Sequence, residues 1–392
     1  MVRHLLALLL ALVAPAGCTR PAEVMFHAQG NPGSLADWGL FTVKDGRIMP
    51  HEGMVTYELQ TPLFSDYAQK WRTVWMPKGV SARYDPDGPF DFPVGTIVTK
   101  TFYFTIPAGA DPGISRAVVK RTPANYQDGI GGLDLAHVRL IETRLLVRRA
   151  EGWITLPYVW NAAQTEATLD RTGADIPLEL VDGAARTPFV YSVPNSNQCA
   201  GCHATDFRDR RLRPIGLKAR HLDRVFGGPG GEINQLARLA ALGMLTGLPR
   251  ARRPGDADWQ DKAAPLGERA RAYLDINCAH CHSATGPARA SGLWLDAGTL
   301  DPRLIGACKP PVAAGRGTGN RAYDIVPGHP ERSIIPYRMA STDPGEMMPE
   351  LGRSLQHREG VTLIADWIAT LEGVCAAVRL PGAKSVNGGK GG

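Results

Sequence analysis

Cys199-Ala200-Gly201-Cys202-His203 and Cys278-Ala279-His280-Cys281-His282 are two copies of one five-residue pattern, CxxCH. Two thiols three positions apart reach the two vinyl groups of one porphyrin, and the adjoining histidine is then directed at the iron as proximal ligand. With 7 cysteines and 10 histidines in 392 residues, random placement gives the pattern on the order of 0.003 times per chain, so two copies are not accidental. A zinc site made from both CxxC pairs needs them about 12 to 20 residues apart, whereas 75 residues separate Cys202 from Cys278. A redox dithiol needs one CxxC beside a βαβ pattern, a context that neither copy has. The expectation is two covalently bound haem c groups, one held by Cys199, Cys202 and His203 and the other by Cys278, Cys281 and His282.

Three cysteines remain, and the N-terminus bears on one of them. Arg3 and His4 form a weak basic region before nine apolar residues, Leu5 to Val13, too few to span a bilayer and suited to a signal peptide. Ala14-Pro15-Ala16 suits ordinary signal peptidase, while Ala16-Gly17-Cys18 resembles the end of a lipobox, with Pro15 where a typical lipobox has Leu. Acylation of Cys18 would attach the chain to a membrane by a lipid; the alternative is a soluble periplasmic protein with a spare N-terminal thiol. If Cys18 is lipidated, Cys308 and Cys375 are left as an even pair in an oxidising compartment, where a disulfide is expected.

The formal net charge of +6 says little about partners, because every c-type haem brings two propionates. The densest basic run is Arg208, Arg210, Arg211 and Arg213, just after the first motif. These groups either pair with propionates through forked hydrogen bonds or form a solvated face. No aromatic interleaving accompanies them, so nucleic-acid binding is not expected.

From about Met25 to Pro194 the chain is rich in Val, Ile, Thr and aromatic residues and is often broken by Gly and Pro, which predicts β structure. The strongest strands are expected over Gly95–Ile106, His137–Val147 and Trp153–Trp160, with a turn at Asp85-Pro86-Asp87-Gly88-Pro89. The first CxxCH follows an apparent strand, Phe189 to Val193, and a short helix is expected over Glu232–Leu242. Pro249 to Gly255 reads as a linker. The second CxxCH ends a helical segment, Leu266 to Asn277, and Val361, Ile364, Trp367, Ile368 and Leu371 form one apolar stripe of a later helix. Between them, Met347-Met348-Pro349 lies about 66 residues beyond His282, where the Met348 thioether is expected as axial ligand opposite His282. For the first haem the candidate sixth ligands are His221 and Met244. Neither has a supporting motif, and an open or weakly ligated iron is the alternative.

Two resemblances attach to these residues. The stretch Cys278 to Trp367, with Gly292-Leu293-Trp294-Leu295-Asp296, Ile325-Val326-Pro327-Gly328-His329-Pro330 and Met348-Pro349, resembles the cytochrome c domains of large exported bacterial proteins. That family uses the methionine next to proline as axial ligand, which implies the same for Met348. More widely, Tyr57 to Trp367 is similar to an uncharacterised family of exported dihaem c-type cytochromes. Thr61-Pro62-Leu63-Phe64-Ser65-Asp66-Tyr67-Ala68, Phe92-Pro93-Val94-Gly95-Thr96, Glu142 to Val147 and Tyr158-Val159-Trp160-Asn161 carry this likeness. Members are associated with parallel β-helix proteins.

The resulting expectation is an α+β multidomain chain in which a β-rich N-terminal domain precedes a mainly α cytochrome c-like haem domain. Its parts are a signal peptide over 1–17, the β-rich domain over 18–195, a first haem-binding segment over 196–255, the second haem domain over 256–375 and a flexible tail over 376–392. Function is expected to be electron transfer in the bacterial periplasm with other periplasmic redox proteins. The alternatives are a haem enzyme, peroxidase-like or binding a small ligand at an open first haem, and the electron outlet of a periplasmic oxidoreductase complex.

Overall fold

The structure is a computed structural model that describes residues 23–121, 129–228, 231–250 and 255–376. The expected signal peptide, the acylation site Cys18 and the tail beyond Ala376 lie outside the described residues. The β-rich half contains β1 (Phe41–Lys44), β2 (Arg47–Pro50), β3 (Val55–Thr56), β4 (Gln69–Trp75), β5 (Ala82–Arg83), β6 (Ile97–Thr105) and β7 (Ala117–Val119). It continues with β8 (Leu133–Asp134), β9 (Val138–Arg149), β10 (Gly152–Trp160), β11 (Ala167–Leu169), β12 (Ala174–Asp182) and β13 (Ala185–Val193). The three strongest strands of the sequence are thus present as β6, β9 and β10. At the expected turn, Asp85 Oδ1 accepts the backbone N–H groups of Asp87 and Gly88, the local bond that favours Asp in turns.

Nine of these strands form one curled sheet in the order β11-β10-β9-β6-β7-β12-β13, with β4 pairing β6 and β3 pairing β4. Side chains alternate along each strand, and β6 illustrates what that does. Thr99 and Thr101 face one way and bond across the sheet to Thr73 at 2.7 Å and Thr143 at 2.8 Å. Val98, Lys100 and Phe102 face the other way. The register shifts between Phe102 and Tyr103 against β9, and such a bulge bends a strand. On the face that carries Val98, residues of the sheet pack with Leu217, Leu222, Leu236 and Ile276 from later in the chain into one buried cluster.

Beyond β13 the elements are short: α1 (Ser196–His203), α2 (Ala219–Leu222), β14 (Val225–Gly228), β15 (Gly231–Asn234), α3 (Gln235–Ala241) and β16 (Leu245–Thr246). Then come α4 (Leu266–Leu274), a π-helical turn over Asp275–Ala279, α5 (Pro302–Ile305), α6 (Ile334–Ala340) and α7 (Arg358–Ala369). α4 packs on α7 through Ala270, Tyr273, Leu363, Ile364 and Trp367. Gly360 permits that approach: a Cβ there would lie 2.3 Å from Tyr273 Oη. The stripe read from the sequence is the buried one, with Ile364, Trp367 and Ile368 in the cluster and Val361 and Leu371 at its margin.

The expected fold class is corrected by this structure. Strand accounts for 27% of the chain and helix for 21%, so the chain is mostly β around a curled half-barrel sheet, with no mainly α cytochrome c-like domain among the described residues. The physical reason lies between the two helical stretches that the sequence does signal. Pro310-Pro311 and Gly315, Gly317 and Gly319 interrupt the chain there, and α5 and α6 reach only 4 and 7 residues. Two amphipathic ends do not make a helical domain when the residues between them are helix breakers.

Candidate functional site

α1 starts where β13 leaves the sheet. Asn195 Oδ1 accepts the Gln198 N–H, and Gln198 Oε1 accepts the Asn195 N–H, both at 2.9 Å. This reciprocal capping box satisfies two otherwise orphaned donors and fixes the helix one residue before Cys199. Cys199 and His203 are buried and Cys202 is half-buried. The His203 ring places Nδ1 2.8 Å from the Arg213 carbonyl, which assigns the proton to Nδ1 and leaves Nε2 as the ligating nitrogen.

The second motif begins in the π-helical turn that follows α4. That turn is pinned from outside, because Asn277 Oδ1 accepts the Phe64 N–H at 2.9 Å and Asp275 Oδ1 accepts the Ala297 N–H at 2.9 Å. The histidine that closes this motif is held like the first: His282 Nδ1 lies 3.3 Å from Ser291 Oγ. Burial, aided by nearby cations, pushes the His203 imidazole down to about 3 and His282 to about 4, so both rings are neutral as metal ligands must be.

Two adjoining cavities lie at these motifs, lined by Cys199, Cys202 and His203 of the first and by Cys278 and His280 of the second, whereas Cys281 and His282 line neither. Cys199 and His203 line both. The first is walled by Leu59, Leu63, Ile215 and Leu217 against the sheet, and the second also takes in Cys202, Cys278, His280, Met339 and Met348. Lys100 and Arg144, directly paired across β6 and β9, form a cationic strip of wall common to the two. Burial, with repulsion from Arg144, pushes the Lys100 ammonium down to about 7. A wall of thiols, neutral imidazoles, apolar side chains and a few cations fits a covalently attached haem. One buried donor on the wall, Arg353 Nε, also lacks a hydrogen-bond partner.

The expected axial ligand Met348 does reach the second cavity, as does Met339. Arg353 shapes its loop by donating from Nη2 to the carbonyls of Met348 and Ser341, each at 2.9 Å. Met347 is buried outside that wall. His221 and Met244, by contrast, line neither cavity. Met244 packs in the large cluster. His221 stands between two buried carboxylates, with Nδ1 2.6 Å from Asp256 Oδ2 and Nε2 3.2 Å from Asp275 Oδ2. These three side chains lie close enough to suggest a metal site, and their ion-pair contacts lack hydrogen-bond geometry at His221 Nδ1, Asp256 Oδ2 and Asp275 Oδ2. Of the basic run, Arg208, Arg210 and Arg211 are exposed and Arg213 pairs with Asp209 at 2.6 Å, which is the solvated-face arrangement.

Two cavity histidines escape sequence reasoning. His280 hides inside the second motif, where the variable positions carry no expected role. His357 is stacked on Phe64 with ring centroids 4.2 Å apart and meets Tyr273 Oη at 2.8 Å; as a lone histidine before a helix it gives no signal. Cys308 and Cys375 form a disulfide with Cα atoms 5.1 Å apart. No family model, curated protein or solved structure matches this chain. The arrangement of its own side chains is what bears on function.

Proposed function

We propose that this chain is an exported dihaem c-type electron carrier that exchanges electrons with periplasmic redox proteins, held to a membrane through an acylated Cys18. Bound at the two motifs, each haem would supply a one-electron iron couple. The observation that carries the reading is that Cys199, Cys202 and His203 of the first motif and Cys278 of the second line one cavity.

The chain's own residues suit that task. Arg213 and Ser291 orient the two proximal imidazoles. Leu59, Leu63, Ile215 and Leu217 exclude water from the first cavity, and burial of this kind tunes a potential. Met348 presents a thioether at the second, a ligand that raises the potential and saturates the iron. The Cys308–Cys375 disulfide fits an oxidising compartment.

The test is a potentiometric titration of the full chain, produced in a host that attaches haem c and followed by visible absorbance. Two reversible one-electron steps are expected. A chain carrying no covalent haem under those conditions overturns the reading.

A further inference from the structure

We propose that His280, a variable residue of the second motif, is the sixth ligand of the haem held by Cys199, Cys202 and His203. The inference rests on the dihaem reading and goes beyond it, because it makes one motif complete the coordination of the other.

Helix geometry supplies the first argument. The second motif runs from the π-helical turn into a hydrogen-bonded turn: the N–H groups of Cys281 and His282 both bond to the Cys278 carbonyl, at 3.1 and 2.8 Å, and His280 has φ −61° and ψ −24°. At about 100° per residue, Cys278, Cys281 and His282 fall within an arc of roughly 100°, and His280 lies on the opposite side of the turn. The three anchors face one haem. The same turn sets His280 off the arc of the anchors, while Cys278 lines the same cavity as His280.

Beside this turn lies the first motif. His280 lines the cavity that is also lined by Cys199, Cys202 and His203, and the two motifs touch where Cys281 Sγ meets the Gly201 carbonyl at 3.9 Å. The Nδ1 atom of His280 is buried without a well-formed hydrogen bond, its one backbone influence being Ile276, a turn back along its own helix. With Nδ1 turned toward that helix, Nε2 is the nitrogen left for the cavity.

Other donors near the first cavity are less well placed. His221 is taken by Asp256 and Asp275, and Met244 is in the apolar core. His357 is stacked on Phe64 and bonded to Tyr273 at the far wall, beside α7. Lys100 also lines the cavity, and the experiment separates it from His280.

Ferric EPR and visible spectra of the full chain, together with its intact mass, form the test. The wild type is expected to carry two haems, both low-spin, and to leave carbon monoxide unbound when reduced. His280→Ala should keep both haems by mass while one turns high-spin and binds carbon monoxide, and added imidazole should restore the low-spin signal. If His280→Ala loses haem, His280→Met replaces it: one bis-imidazole signal should give way to a histidine-methionine signal. Two unchanged low-spin signals in these variants overturn the assignment, as does loss of the signal in Lys100→Met alone. Carbon monoxide binding by the wild type overturns it as well. A wild-type mass short of two haems instead overturns the dihaem reading beneath it.

Discussion

The Sγ atom of Cys281 lies 3.9 Å from the carbonyl oxygen of Gly201, so the two CxxCH motifs are in contact although 75 residues separate their cysteines. The contact extends past the motifs. Phe207 N–H donates to the Thr285 carbonyl at 2.9 Å, and the Arg289 guanidinium sits 3.5 Å from the centre of the Phe207 ring. A guanidinium over an aromatic face contributes about 0.5 to 2 kcal/mol, more when water is excluded. The segments that follow the two motifs therefore brace each other and hold the cavities side by side.

A first prediction follows for the covalent attachment. Boiling in denaturant should leave both haems on the chain, and replacing Cys199 and Cys202 together with Ala should remove the mass of one. Replacing Cys278 and Cys281 should remove the other. An intact mass corresponding to a single haem in the wild type refutes this.

Met348 gives the second. It stands on the wall of the cavity that Cys278 lines, in a loop held by Arg353. Met348→Ala should abolish the sulfur-to-iron charge-transfer band in the far-red ferric spectrum and lower the potential of that haem. Because Met339 lines the same cavity, Met339→Ala is the control and should leave the band in place; the reverse outcome moves the ligand to Met339.

The disulfide closes a loop of 67 residues, for which the chain-entropy account gives up to about 4 kcal/mol of stabilisation, with about 2 to 4 typical. It ties the segment after α7 to the chain ahead of α6. Cys308→Ser combined with Cys375→Ser should lower the urea midpoint accordingly and leave the haem spectrum intact. A midpoint equal to that of wild type counts against any stabilising role.

The parts of this molecule that were legible in the sequence are those set by local rules. Alternation and β-branched residues mark β6, β9 and β10, the spacing of the thiols marks the two motifs, and cysteine parity marks Cys308 with Cys375. The architecture between Asp301 and Ala340 was not legible, because a helical period at both ends of the second segment says nothing about a middle governed by Pro and Gly. Lys100 and Arg144 were also missed. On a strand, a charged residue facing inward reads like one facing out until the register is known, and only the pairing of β6 with β9 turns both toward the cavity. His221 failed as a ligand for a related reason: its partners, Asp256 and Asp275, are 35 and 54 positions away and belong to no motif.

That buried triad makes the last prediction. Burial alone would discharge the His221 ring, but the carboxylates of Asp275 and Asp256 outweigh it and hold the imidazolium above its ordinary 6.5. Burial likewise works against ionised Asp275, yet His221, with Lys218 and the Ala297 N–H, keeps it well below the usual 3.8. The two shifts act on stability with opposite signs. The raised His221 value contributes stability that is complete below about pH 6.5 and is lost as pH rises through the folded value. The lowered Asp275 value contributes stability present above about pH 3.8 and lost as pH falls toward the folded value. Between these limits His221 and Asp275 carry opposite charges and hold α2 to the turn that opens the second motif. His221→Gln leaves two buried carboxylates without their cation, which costs about 3 to 5 kcal/mol when a buried pair is broken. Urea unfolding of both proteins at about pH 5 and about pH 9 checks this: the gap between wild type and His221→Gln should be wide at the lower pH and narrow at the higher, and an equal gap at both would show that the ring is not charged in the folded chain.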